Sequence, residues 1–208
     1  MANPSDFDVL LFDLGGVLID FAGFEELCGL LPGTVDRAEV RKRWIGSPSV
    51  QSFERAEITP RQFARGVIQE LQLELGPDEF ITAFVEWARG TYPGATSLLN
   101  RLPKSIRRAC LSNSNVLHTP LHRRSIEPLM DSFYFSDELG LVKPDREIFE
   151  HVIGDLDVAP ERIAFFDDTA VNVEAAREAG MIAYEVDGIA ELETQLLRLN
   201  LLNPGRVP

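Results

Sequence analysis

Four places in this chain set out reactive side-chain types, three of them where short apolar runs end. Asp13 follows Val9-Leu10-Leu11-Phe12 and precedes Leu14-Gly15-Gly16. A carboxylate projecting into a glycine turn, whose backbone amides can approach an anion closely, has the form of a nucleophile beside a phosphate cradle. A strand-ending aspartate that satisfies local turn amides has the same sequence, so the tetrapeptide alone leaves both roles open. Leu111-Ser112-Asn113 offers a hydroxyl and adjacent backbone amides suited to phosphoryl oxygens, although serine and asparagine populate loops everywhere. Lys143 is one of just three lysines, with Lys42 and Lys104, and precedes Pro144-Asp145 at an expected helix start. It is either a compact point charge required at that spot or a solvated surface lysine. Phe165-Phe166-Asp167-Asp168 places two carboxylates side by side, with Asn172 four residues beyond Asp168. Neighbouring acids repel unless a cation or donors offset them, and a magnesium ion held through oxygens would do so. A helix N-terminus, where acids are favoured by the dipole, is the alternative.

These residues need elements to bring them together. Val9 to Phe12 is too short for a helix and solidly apolar, which predicts a strand buried on both faces. Similar runs recur at Ile106 to Leu111, Phe133 to Phe135, Ile163 to Phe166 and Met181 to Val186, with helical stretches beside most of them. That alternation predicts an α/β fold around a parallel sheet with helices on both faces. In such sheets ligands bind beyond the carboxyl ends of strands where strand order reverses, and Asp13, Ser112 and Asp167 end three of the runs. Between the first two strands, about Ile19 to Thr91, the chain reads almost wholly helical with no convincing strand. Thr59-Pro60 is a helix start with a cap and an N1 proline, followed by Phe63, Val67 and Leu71; Pro77-Asp78 opens another, carrying Phe80, Phe84 and Trp87. A small helical bundle inserted into the α/β core is expected. Cuts near residues 20 and 92 give 1–19 and 92–208 as core and 20–91 as insert. The leucines of Ala190 to Leu202 predict a final helix against the sheet.

Composition narrows the ligand. The 208 residues are 45% hydrophobic and 25% charged, ordinary globular usage, and 20 Lys+Arg against 33 Asp+Glu give a net charge of -13. That balance opposes binding to nucleic acid or to an anionic membrane surface. Cys28 and Cys110 lie in dissimilar surroundings without metal spacing, so neither a disulfide framework nor a zinc site is indicated. Met1 to Phe7 lacks the features of a signal peptide, and no apolar run approaches the roughly 18 residues needed to span a bilayer. A cytoplasmic protein, monomer or homodimer, is expected.

Taken in order, Phe12-Asp13-Leu14-Gly15-Gly16-Val17, Leu111-Ser112-Asn113, Lys143-Pro144 and Phe166-Asp167-Asp168 resemble the four motifs of the haloacid dehalogenase (HAD) superfamily. The resemblance covers essentially the whole chain, and a helical segment between the first two motifs is similar to its C1 cap. It implies a Rossmann-like core with an inserted cap domain. It also implies a phosphatase in which Asp13 attacks phosphorus to give an aspartyl phosphate that water hydrolyses. Magnesium would be held by Asp13, the Gly15 carbonyl and Asp167, with Asp168 binding directly or through water and Asn172 in support. Ser112, the Asn113 amide and Lys143, with Gly15 and Gly16 in the phosphate cradle, would receive the phosphoryl group.

One departure matters. The family's phosphatases usually place a second aspartate, the general acid and base, two residues after the nucleophile, where this chain has Gly15. Such help is worth roughly a hundredfold to ten-thousandfold, so poor leaving groups should suffer most and anomeric phosphates least. The string around Asp13, Ser112-Asn113-Ser114-Asn115 with His118, and Leu139 to Pro144 are similar to phosphatases of sugar phosphates such as glucose 1-phosphate. A small phosphorylated metabolite is therefore the expected partner. His118 is a candidate substitute proton donor, with local packing as its other role. Trp44, Ser47 and Phe53 are candidate cap contacts, although aromatics at helical spacing are more often core. A metal-independent 2-haloacid dehalogenase is the first alternative, opposed by the Asp167-Asp168 pair. A catalytically inactive binding protein is the second.

Overall fold

The computed structural model describes residues 6–31 and 35–202, so most of the Met1 to Phe7 stretch and the end of the expected core segment lie outside the described residues. The first apolar run forms β1 (Val9–Phe12), and every one of its residues is buried. It is the centre of a five-stranded sheet whose other members are β4 (Arg107–Ser112), β5 (Ser132–Phe135), β6 (Ile163–Asp167) and β7 (Ile182–Glu185). The strand order is β5-β4-β1-β6-β7, and all pairings are parallel. The chain steps outward from β1 through β4 to β5 and then returns to the far side of β1. Strand order therefore reverses at β1, the place where open α/β sheets leave a crevice.

Alternation along each strand sends side chains to two apolar layers. Leu10, Phe12, Ala164 and Phe166 face one layer, closed by Leu98 and Leu99 of α6 (Ala95–Asn100), Ile126 of α7 (Thr119–Ile126), and Leu192 and Leu196 of α11 (Gly188–Arg198). Val9, Leu11, Ile163 and Phe165 face the other, closed by α9 (Arg146–Leu156) and α10 (Ala170–Glu178) through Phe149, Val152, Val173 and Ala176. Both faces being covered explains why the strands read as continuous apolar runs.

The segment between β1 and β4 contains α1 (Gly23–Leu30), α2 (Arg37–Ile45), α3 (Pro48–Glu54), α4 (Pro60–Leu71) and α5 (Pro77–Glu86). Their shared core is aromatic: Phe53 stacks on Phe63 at 4.2 Å between ring centroids, and Phe80, Phe84 and Trp87 complete it. The α4 start matches its sequence signal, since Thr59 accepts from the Gln62 amide while the Gln62 side chain accepts from the Thr59 amide. Such a reciprocal cap satisfies two otherwise free helix donors.

One expectation is corrected. The segment holds strand structure at its ends, where β2 (Ile19–Phe21) pairs antiparallel with β3 (Ala88–Thr91). Each is three or four residues long and carries polar or glycine positions, Asp20, Arg89 and Gly90, so no alternation could reveal it. The pair forms because both ends of the insert leave the core together, a non-local cause.

Candidate functional site

Parallel registration fixes the site before any side chain is considered. Phe12 lies level with Cys110 of β4 and Phe166 of β6, so Asp13 emerges beside Leu111-Ser112 on one side and Asp167 on the other. The Asp13 amide donates to the Phe166 carbonyl at 2.8 Å, extending the ladder to the carboxyl edge of the sheet. Asp13, Ser112 and Asp167 are all buried.

Lys143 joins them from a loop far along the chain. Its ammonium donates to Asp13 Oδ1 at 2.7 Å, Asp167 Oδ2 at 2.6 Å and the Leu111 carbonyl at 3.0 Å, which uses all three of its protons. The surface-lysine alternative is thereby removed, since Lys143 is 5% exposed. Burial alone would lower its pKa, but Asp13 and Asp167 outweigh that and hold it above the usual lysine range. The loop is fixed by Asn113, whose side chain donates to the Lys143 carbonyl at 2.9 Å and accepts from the Lys143 amide at 2.8 Å. Asn113 thus positions the lysine with its side chain, a role that sequence reasoning did not assign to it. Among the described residues the Ser112 hydroxyl makes only a long 3.4 Å contact, to the Asn113 carbonyl, which leaves it available to a ligand.

The two acids have different partners. Asp167 accepts from Asn172 Nδ2 at 3.1 Å on both oxygens and from the Thr169 amide at 2.8 Å, which locks its orientation. Asp168 turns to the insert instead, where Arg41 of α2 reaches it at 2.8 Å and also binds Thr169 Oγ1 at 2.7 Å. Gly16 has φ +79, and a Cβ there would lie 2.4 Å from Asp168 Oδ2, so this position admits glycine alone. A Cβ at Gly15 would meet Phe21 at an ordinary 3.7 Å.

One ligand oxygen each from Asp13, Asp167 and Asp168 falls within 4.8 Å of the others. Three carboxylates against the Lys143 ammonium and the Arg41 guanidinium still leave excess negative charge. Burial accordingly pushes the Asp13 carboxyl up to about 7, with Asp167 and Asp168 adding to the push and Lys143 opposing it. A set of hard oxygen donors with surplus negative charge suits a divalent cation such as magnesium.

Over this edge lies a cavity of about 610 Å³, closed from the other side by the insert. The insert contributes Arg41 and Trp44 from α2 and Glu54 from the end of α3. Glu54 is half-buried and accepts from Asn113 Nδ2 at 3.1 Å. Loss of water pushes its carboxyl up to about 8, against the pull of Lys143 and of the Asn113 hydrogen bond. Of the cap contacts expected from sequence, Trp44 lines the cavity, whereas Phe53 belongs to the aromatic core and Ser47 bonds Glu70 and caps α3. His118 faces the cavity, but its Nε2 proton is given to the Phe84 carbonyl at 2.8 Å, and burial pulls its pKa down to about 4. Its contacts are those of a packing residue, so the candidate proton donor is replaced by a neutral histidine with its proton engaged. Arg41 and Glu54 carried no sequence signal, being charged residues on helices where charged residues are ordinary.

Comparison with known proteins agrees with this architecture. A family model described as haloacid dehalogenase-like hydrolase matches residues 7–180. The chain is 28% identical over 200 residues to Phosphatase MT3486 of Mycobacterium tuberculosis, covering 91% of each. It is 24% identical over 196 residues to the D-ribitol-5-phosphate phosphatase of Bacteroides thetaiotaomicron, covering 90% of this chain and 95% of the relative. Among solved structures, a HAD family enzyme from Bacteroides thetaiotaomicron, in complex with magnesium and inorganic phosphate, superposes with a TM-score of 0.66 at 24% identity, covering 86% of this chain and 93% of the other. The shared fold is the α/β, Rossmann-like arrangement of a central parallel sheet with flanking helices. Among the described residues no helix is long and apolar enough to cross a membrane.

Proposed function

The chain belongs to the haloacid dehalogenase-like hydrolases and is an enzyme of the phosphatase kind, and from that premise we propose a magnesium-dependent hydrolysis of a small sugar phosphate such as glucose 1-phosphate. The observation that carries this reading is the buried cluster in which Asp13, Asp167 and Asp168 converge around Lys143. Asp13 stands at the strand-order reversal with one oxygen on Lys143 and its carboxylate facing the cavity, the placement of a nucleophile toward phosphorus. Attack yields an aspartyl phosphate, and hydrolysis of that ester returns the carboxylate. Lys143, the Ser112 hydroxyl and the Asn113 amide offset charge on the phosphoryl oxygens as it passes.

Asp13, the Gly15 carbonyl, Asp167 and Asp168 would hold magnesium, which when bound supplies positive charge to the phosphoryl group and the nucleophile. Asn172 keeps Asp167 in the orientation this requires. The segment 20–91 acts as a cap over the 1–19 and 92–208 core, and its aromatic and arginine side chains choose the body of the substrate. Support for a polyol or sugar phosphate comes from the mixed aromatic and polar lining of the cavity and from the relative that acts on D-ribitol 5-phosphate.

The test is phosphate release from glucose 1-phosphate, glucose 6-phosphate and an aryl phosphate, with magnesium and with a chelator, for wild type and Asp13→Asn. Release from a sugar phosphate that needs magnesium and disappears in the variant is expected. No release from any ester by folded wild type would defeat the reading.

A further inference from the structure

Breaking a phosphate ester leaves an oxygen that needs a proton, and the water that later attacks the phosphoenzyme must give one up. Among the described residues facing the cavity, most titratable groups are engaged elsewhere. Asp13 is joined to Lys143, Asp168 to Arg41, and Asp145 to Arg55. The His118 proton is held by the Phe84 carbonyl, and His122 is pulled down to about 3 by burial and by His118, so neither ring carries a transferable proton near neutrality. Tyr92 is pushed above its ordinary value, which leaves it unable to act as a base. Asp36 and Asp187 are exposed.

Glu54 remains. One oxygen accepts from Asn113 Nδ2 at 3.1 Å, while the other has no hydrogen-bond partner among the described residues. Asn113 also bonds the Lys143 backbone carbonyl and amide, so a single side chain ties the insert carboxyl to the backbone that carries the core lysine. We propose that Glu54, carried by the helical insert, is the acid and base of the phosphatase reaction. This rests on the phosphatase reading above. As Asp13 bonds to phosphorus, the bond from phosphorus to the leaving oxygen breaks, and that oxygen keeps the electron pair and takes the Glu54 proton. The alcohol departs, leaving a phosphorylated Asp13 and a Glu54 carboxylate. Water then bonds to phosphorus while Glu54 takes its proton, the bond from phosphorus to Asp13 oxygen breaks, and inorganic phosphate, free Asp13 and protonated Glu54 are restored.

The groups facing Glu54 are Lys143, Asn113 and Asp13 from the core and Arg55 beside it. Their balance with burial keeps the carboxyl protonated at neutrality, the state needed for the first step, and poises it near enough to neutrality to serve as a base in the second. It also supplies what Gly15 lacks, so an alkyl phosphate would carry no special handicap relative to an anomeric one.

Glu54→Gln keeps the shape and the Asn113 contact but removes the proton. Turnover of glucose 6-phosphate is expected to fall by about 10²–10⁴-fold, whereas an aryl phosphate should still release close to one equivalent of phenol in a burst before stalling. The fall of wild-type kcat/KM for glucose 6-phosphate above about pH 8 should vanish in the variant. Glu54→Asp, which retains a proton on a shorter arm, should recover part of the glucose 6-phosphate activity. Wild-type turnover matched by Glu54→Gln, or equal loss on both esters with no burst and no recovery in Glu54→Asp, would overturn the assignment while leaving the phosphatase reading intact. Absence of phosphate release from wild type itself would remove both.

Discussion

Lys143 is the residue on which the electrostatics of the site turn. Among the described residues it is the sole ammonium touching Asp13 and Asp167, and all three groups are withdrawn from water. Breaking a buried pair from one side leaves uncompensated charge, which costs about 3–5 kcal/mol. Lys143→Met is therefore expected to lose about that much unfolding free energy at pH 8 in chelator, measured by urea titration. The deficit should shrink at pH 5. A folded-state carboxyl raised above its unfolded value binds a proton that the unfolded chain does not, so stability falls as pH rises through that window. Asp13 already stands at about 7 with Lys143 present, and removing the ammonium pushes it further up. A deficit that is small at pH 8, or that grows at pH 5, would contradict this account of the cluster.

At the scale of elements, the strand ends and the turns after them do the positioning. The turn after β1 uses its two glycines differently. Gly16 sits at φ +79 against Asp168, while Gly15 has room for a side chain. Gly16→Ala should cost about 1–2 kcal/mol from the left-handed backbone alone and displace Asp168, raising the magnesium concentration needed for half-maximal activity. Gly15→Ala should stay within about 0.5 kcal/mol of wild type. Equal behaviour of the two variants in urea unfolding and in magnesium titration would refute the distinction. Such strand-end residues were legible in the sequence, because a buried parallel strand announces itself as an apolar run and its last polar residue must face the crevice. Asp13, Ser112 and Asp167 were found in that way, and Lys143 by the scarcity of lysine. The reciprocal cap at Thr59 and Gln62 was likewise readable in part, from the Thr-Pro start. Glu54 and Arg41 were not readable, since their place in the site depends on how α2 and α3 dock on the core rather than on any local pattern. The β2–β3 pair escaped for the same reason: its register is set by the two ends of the insert meeting, about seventy residues apart.

At the scale of the molecule, two cores with different chemistry meet across one polar seam. The sheet and its helices form a layered aliphatic and aromatic core, while the insert is packed on its own aromatic cluster. Across the seam run Arg41 to Asp168, Arg55 to Asp145 and Asn113 to Glu54. The two arginine pairs are partly exposed, and pairs of that kind are worth about 0–1 kcal/mol, so a substrate can rearrange them, while the buried His118 to Phe84 contact holds the seam beside them. In the proposed reaction the core would supply the nucleophile and the cation site, the insert would face the body of the substrate, and the phosphoryl group would be handled where they meet. All of this depends on Asp13 becoming covalently bonded to phosphorus. The most direct measurement is acid quenching of wild type during turnover of an aryl phosphate with magnesium, followed by borohydride reduction and peptide mass analysis. The account predicts reduction of an acyl phosphate at position 13, dependent on magnesium and on substrate. An unmodified Asp13 in enzyme quenched during rapid steady-state phosphate release, with the same result when the intermediate is made to accumulate in Glu54→Gln, would contradict it.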